Sequence, residues 1–146
     1  MANGLYVAYR NGILGAHATR VDWDADTIRV AFVDTGTYTV NLTTHDFFDD
    51  LSGLHPSGAY NAAGQTLDSK TVGTLAAGVA DAADELFSAF SNGSVSVEGI
   101  VGWKVGASAA ASDLIFWFDT GITGMPFTPS GGDVTIAWNG SGIFGV

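Results

Sequence analysis

The chain has 146 residues, no cysteine, and 15 acidic against 5 basic side chains, a formal net charge of −10. Without cysteine there is no disulfide framework, thiolate metal site or cysteine nucleophile. An acidic chain without clustered Lys and Arg repels phosphate backbones and anionic lipid, so nucleic acid and membrane are poor partners.

Taken in chain order, Leu5, Tyr9, Ile13 and Leu14 fall at helical spacing and predict a short helix within residues 5–16, weakened by Gly12 and Gly15. Asp22-Trp23-Asp24-Ala25-Asp26 reads as a polar turn, and Ile28 to Val33 follows as a well-buried strand, rich in β-branched and aromatic residues. Tyr38, Val40 and Leu42 alternate with Thr39 and Asn41, the pattern of a strand with one wet face. Thr44 is placed to cap a short helix through Phe47, Phe48 and Leu51 that ends near Gly53. Leu54 to Gly64 then reads as a long exposed loop, a kind of segment usually functional or mobile.

Residues 79–90 are ambiguous: Val79, Ala83, Leu86, Phe87 and Phe90 fit one helix face, while Leu86 to Phe90 could also begin a strand. From Val95 to Val105 every second residue is apolar or Gly, predicting a strand with one side on a core. Leu114 to Phe118 is an unbroken apolar run and predicts a strand covered on both faces. Val134, Ile136 and Trp138 mark a last half-buried strand between Gly131-Gly132 and Asn139-Gly140. Short strands with Gly, Asn, Asp and Pro turns predict a mainly β single domain over 1–146, a sandwich or jelly roll with one or two short helices.

No residue pattern specifies catalysis, a cofactor or a metal. Asp22, Asp24 and Asp26 have the D-x-D-x-D spacing of a calcium loop, but Thr27 stands where the sharp-turn Gly belongs and Val33 where the bidentate Glu belongs, so capping aspartates are expected. His17, His45 and His55 lack metal-ligand spacing. His45 beside Asp46 suggests a base and its orienter, yet no nucleophile elbow accompanies the pair. No glycine-rich stretch forms a phosphate cradle. The sequons at Asn41, Asn92 and Asn139 would matter only on a secretory route, for which the N-terminal residues carry no signal; no stretch is long and apolar enough to span a bilayer. Trp103, Trp117 and Trp138 lie within strand patterns and are expected in the core rather than on a sugar-binding face.

Charged residues are only 14% of the chain, against about a quarter in an average soluble domain, and hydrophobic residues reach 47%. So few charges leave apolar surface for other chains to cover, although a Gly/Ala-rich monomer would also inflate the hydrophobic count.

Several stretches together resemble a family of small virion proteins of tailed bacteriophages. They are Asp26 to Thr35, Tyr38 to Leu42, Thr44-His45-Asp46-Phe47, Gly64 to Ala80 with Lys70-Thr71-Val72, Gly78 to Ala82, Phe118-Asp119-Thr120-Gly121, and Pro126 to Trp138. The resemblance implies a component of a phage particle. Joined to the acidic charge, it gives the expectation of a capsid decoration, or cement, protein on the capsid exterior that binds the major capsid protein as a homo-oligomer, a trimer by the local three-fold axes of such shells. A tail or head-tail connector protein and a receptor- or glycan-binding module are the alternatives.

Overall fold

The computed structural model describes residues 3–15 and 20–146, so His17 lies outside the described residues. In chain order the strands are β1 (Gly4–Leu5), β2 (Ile28–Val33), β3 (Leu54–His55), β4 (Gln65–Thr66), β5 (Thr71–Val72), β6 (Val79–Asp81), β7 (Glu85–Phe87), β8 (Gly99–Lys104), β9 (Leu114–Phe118), β10 (Val134–Ile136) and β11 (Phe144–Gly145), with one helix, α1 (Val7–Ile13). The fold is mainly β, and every ladder is antiparallel. The main sheet has the order β1-β9-β8-β2, and β3 and β4 share the outer edge of β2. Two small sheets, β10-β7 and β11-β6-β5, complete the architecture.

The main sheet is buried on both faces, which is why β2 and β9 read as continuous apolar runs. On one face Ile28, Val30, Phe32, Ile100 and Phe116 pack against Phe87, Phe90, Ile136 and Ala80 from the small sheets and their flanks. The other face carries Ala31, Val33, Val101, Trp103, Leu114 and Trp117, covered by Tyr6, Tyr38, Val40 and Phe48 from connecting segments and by Leu54 of β3. Thus the sandwich expectation holds as one large sheet packed on two small ones, with a second core under loops.

A bulge at the start of β9 decides which core Leu114 and Ile115 reach. Trp103 faces Leu114 but Gly102 faces Phe116, so Ile115 is an extra residue. Leu114 and Trp117, three apart, therefore reach the same core, whereas Phe116 goes to the other. Room for the aromatic rings comes from β8: a Cβ on Gly99 would overlap Trp117, and one on Gly102 would overlap Phe116.

Several expectations need correction. The helix predicted within residues 5–16 spans only Val7–Ile13; Leu5 belongs to β1, Leu14 follows the helix, and Ile13 and Leu14 are exposed. Tyr38 to Leu42 forms no strand, although Tyr38 and Val40 are buried and Thr39 and Asn41 exposed; the extended segment packs on the core and joins no ladder, its Leu42 carbonyl accepting from the Val7 N–H (2.8 Å) at the start of α1. The helix after Thr44 is a single 3-10 turn, Phe48–Asp50, and Asp50 rather than Thr44 holds its start, accepting from the N–H groups of Asp46 (2.9 Å) and Phe47 (3.4 Å). The helical reading of 79–90 is wrong: β6 and β7 occupy it, separated by a bend in which the Ala83 N–H bonds to the Asp68 carbonyl. Finally, β8 meets cores on both sides, since Ile100 faces the small sheets while Val101 and Trp103 face the loops.

The 54–64 segment is pinned to the main sheet. The guanidinium of Arg29 donates to the carbonyls of Ala62 (2.9 Å), Ala63 (2.7 Å) and Gly64 (3.0 Å) and to Thr66 Oγ1 (2.7 Å). Gly64 turns the chain with φ of +63° directly over the Val30 carbonyl, where a side chain would collide.

Candidate functional site

The chemistry-bearing residues that sequence reasoning singled out are engaged in turns and core. Asp22 accepts from the Ala25 N–H (3.2 Å), while Asp26 accepts from the Asp22 N–H (2.7 Å) and pairs with Lys104 Nζ at 3.0 Å. These aspartates cap the turn before β2, as their spacing predicts without the calcium-loop glycine. Among the described residues no group of three or more His, Asp or Glu is placed to hold a metal ion.

His45 does not use Asp46 as an orienter through Nδ1. That nitrogen bonds to Tyr38 Oη at 2.8 Å, and Tyr38 Oη in turn meets Tyr6 Oη at 3.2 Å. Burial pushes the Tyr38 hydroxyl up to about 12 and raises that of Tyr6 further, so both keep their protons at neutral pH. The three side chains tie α1 and the 38–45 segment to the loop-covered core. His55 stands in β3 opposite Phe32.

All three sequon asparagines turn out to be turn caps. Asn41 Oδ1 accepts from Thr43 and Thr44, Asn92 is bonded both ways to Val95, and Asn139 Oδ1 accepts from Ser141. An Asn followed two residues later by Ser or Thr is here the signature of a side-chain-closed turn.

Two apolar surfaces remain. The first is a rim formed by α1, the β5–β6 turn and the C-terminal residues, where Ile13, Val72 and Val146 border one hollow together with Tyr9, Val21 and Phe144, the charged Arg20, Asp22 and Asp24 lining its other side. Leu14, next to Ile13, is 83% exposed and Val146 65%. The helical spacing of Ile13 and Leu14 registers apolar periodicity without showing which helix face has a partner.

The second is an open cleft of about 670 Å³ between the small sheets and the end of β9. Phe32 and Ile100 form part of its lining, with Phe118 and residues 120–125 on one side and Val134 to Trp138 on the other. Trp138 is half-buried there, its indole N–H donated to the Ala83 carbonyl at 3.0 Å. The other three tryptophans are core residues, as predicted for Trp103 and Trp117.

Of the five Lys and Arg, Arg29 is spent on backbone carbonyls, and Lys104 on Asp26 and the Arg20 carbonyl. Among the described residues no helix is long and apolar enough to cross a membrane. Compared with protein-family models, curated proteins and solved structures, the chain matches none.

Proposed function

We propose that this chain is a structural protein of a tailed-phage particle, a decoration protein that binds the outer surface of the assembled shell and stabilises it. The observation that carries the reading is the exposed apolar rim of Ile13, Val72 and Val146 around one hollow, with the exposed Leu14 next to Ile13 in the chain, on a domain with very few charges. Isolated exposed apolar side chains are ordinary, but several around one hollow favour contact with protein. The acidic charge supports an exterior position, since packaged DNA would repel it. The sequence resemblance to phage virion proteins supplies the partner, the major capsid protein, and shell geometry favours a trimer on local three-fold axes.

Because such a protein binds the assembled lattice and not free subunits, it adds stability to the assembled state alone, through many identical weak contacts. The test compares heads with and without this chain. Heads lacking it should assemble but disrupt at a lower temperature, and Leu14→Glu should abolish rebinding while leaving the isolated domain folded. Equal disruption temperatures, or antibody labelling confined to the tail, would replace this reading with the connector one.

A further inference from the structure

The cleft beside β10 has a feature that an ordinary apolar groove lacks. β10 pairs with β7 along one edge only, and no described strand pairs with its other edge. Residues 134, 135, 136, 137 and 138 all line the cleft. Successive side chains of a strand point to opposite faces, so the three consecutive residues of β10, Val134, Thr135 and Ile136, line one cavity only when the strand turns its edge to it. None of the backbone hydrogen bonds outside the ladders involves Val134, Thr135, Ile136 or Ala137. The free edge thus presents backbone donors and acceptors to an open, mostly apolar space.

The second observation is charge. In a chain of net charge −10, the cleft is lined without a single Asp, Glu, Lys, Arg or His. A carboxylate or ammonium group entering it would lose water and find no counter-charge. An extended backbone, by contrast, would satisfy the open edge while apolar side chains met Phe118, Met125 and Trp138.

We propose that this cleft accepts an extended, uncharged segment of a partner protein, which adds as a strand beside β10. The mode is β-augmentation, in which main-chain hydrogen bonds supply affinity and alternate side chains supply selectivity. It stands independently of where the protein resides, so its failure would leave the decoration reading untouched.

The test titrates the isotope-labelled full chain with a blocked peptide of alternating Thr and Val flanked by Gly. Two comparison peptides are used, one with Glu in place of Val and one with the same side chains on an N-methylated backbone. Backbone amide shifts centred on residues 134–138 are expected with the first peptide up to about 1 mM, and at least a tenfold loss with each of the others. Thr123→Glu, which puts a charge on the exposed opposite wall, should weaken binding at least tenfold with unchanged melting. Absence of shifts in 134–138, equal binding of the N-methylated peptide, or unaltered binding by the Thr123 variant would overturn the proposal. So would a dimer of the free chain whose contact maps to this cleft, which would identify the occupant as a second copy.

Discussion

Gly102 lies against the ring of Phe116 where β8 and β9 change register, and a methyl group on Gly102 would occupy the space of the ring. The ring of Phe116 points toward the small sheets by the ordinary alternation of β9, and the bulge at Ile115 then returns Leu114 to the face of Trp117. Gly102→Ala should therefore destabilise the fold by about 1–3 kcal/mol, the usual cost of overpacking a filled core. Gly132→Ala provides the comparison, because a Cβ there meets nothing within 4 Å. It should change stability by no more than about 0.5 kcal/mol. Urea unfolding of the two variants checks both values.

Arg29 joins the 62–66 segment to β2 through four hydrogen bonds. Its removal would strand carbonyls that have only this donor group, so Arg29→Met should cost about 2–3 kcal/mol. Arg29→Lys should recover little, because an ammonium cannot reach the same spread of acceptors as a planar guanidinium. Hydrogen exchange in residues 56–66 should accelerate in both variants.

Glu85 is buried, and that burial, reinforced by Asp68 and opposed by Arg29, raises its carboxyl to about 6. An acid held above its unfolded value binds more protons in the folded state, so its contribution is complete below about 4.5 and is lost as pH rises through 6. Relative to Glu85→Gln, the parent chain should lose roughly 1–2 kcal/mol between those limits. Denaturant midpoints of the pair at pH 4.5 and pH 7 measure the difference; parallel curves would refute it.

Phe116 and Trp117 are fully buried on opposite faces of the main sheet, whereas Leu86 in β7 is 48% exposed. Asp at either aromatic position would place an unpaired charge in a core, and the fold should be lost. Leu86→Asp should stay soluble and within about 0.5 kcal/mol of the parent. Circular dichroism and light scattering distinguish the three variants.

The parts of the fold legible in the sequence are those whose burial is complete. Ile28–Val33 and Leu114–Phe118 match their predicted bounds, because a strand covered on both faces leaves a run that little else produces at that length. Tyr38 to Leu42 shows where the signal stops. Its alternation correctly marks which side chains are buried, but burial pattern says nothing of whether a backbone partner lies alongside. Between Val79 and Phe90 the helical spacing misled because Ala80, Glu85 and Phe87 enter the interior from two short strands. Neither apolar surface could be foreseen. Apolar spacing at Leu14 does not show that α1 ends against solvent, and the cleft depends on the free edge of a strand whose neighbours are set by tertiary packing.

The order in which the strands occur along the chain governs how the protein can be made. β2 emerges early from the ribosome, yet its full-length partner is β8, and Gly4 and Leu5 must wait for Trp117 and Phe116. At ordinary synthesis rates the stretch from Val33 to Lys104 takes roughly 4–14 s to appear. During that interval the Ile28–Val33 segment lacks its full-length partner and can pair along one edge only, with the two-residue strands β3 and β4, so a strongly apolar strand stays open, the kind of transient that aggregates when chains are crowded. Closure of the main sheet is thus a late, non-local event, and the yield of soluble protein should depend more on slow translation and low temperature than on the stability of the finished domain.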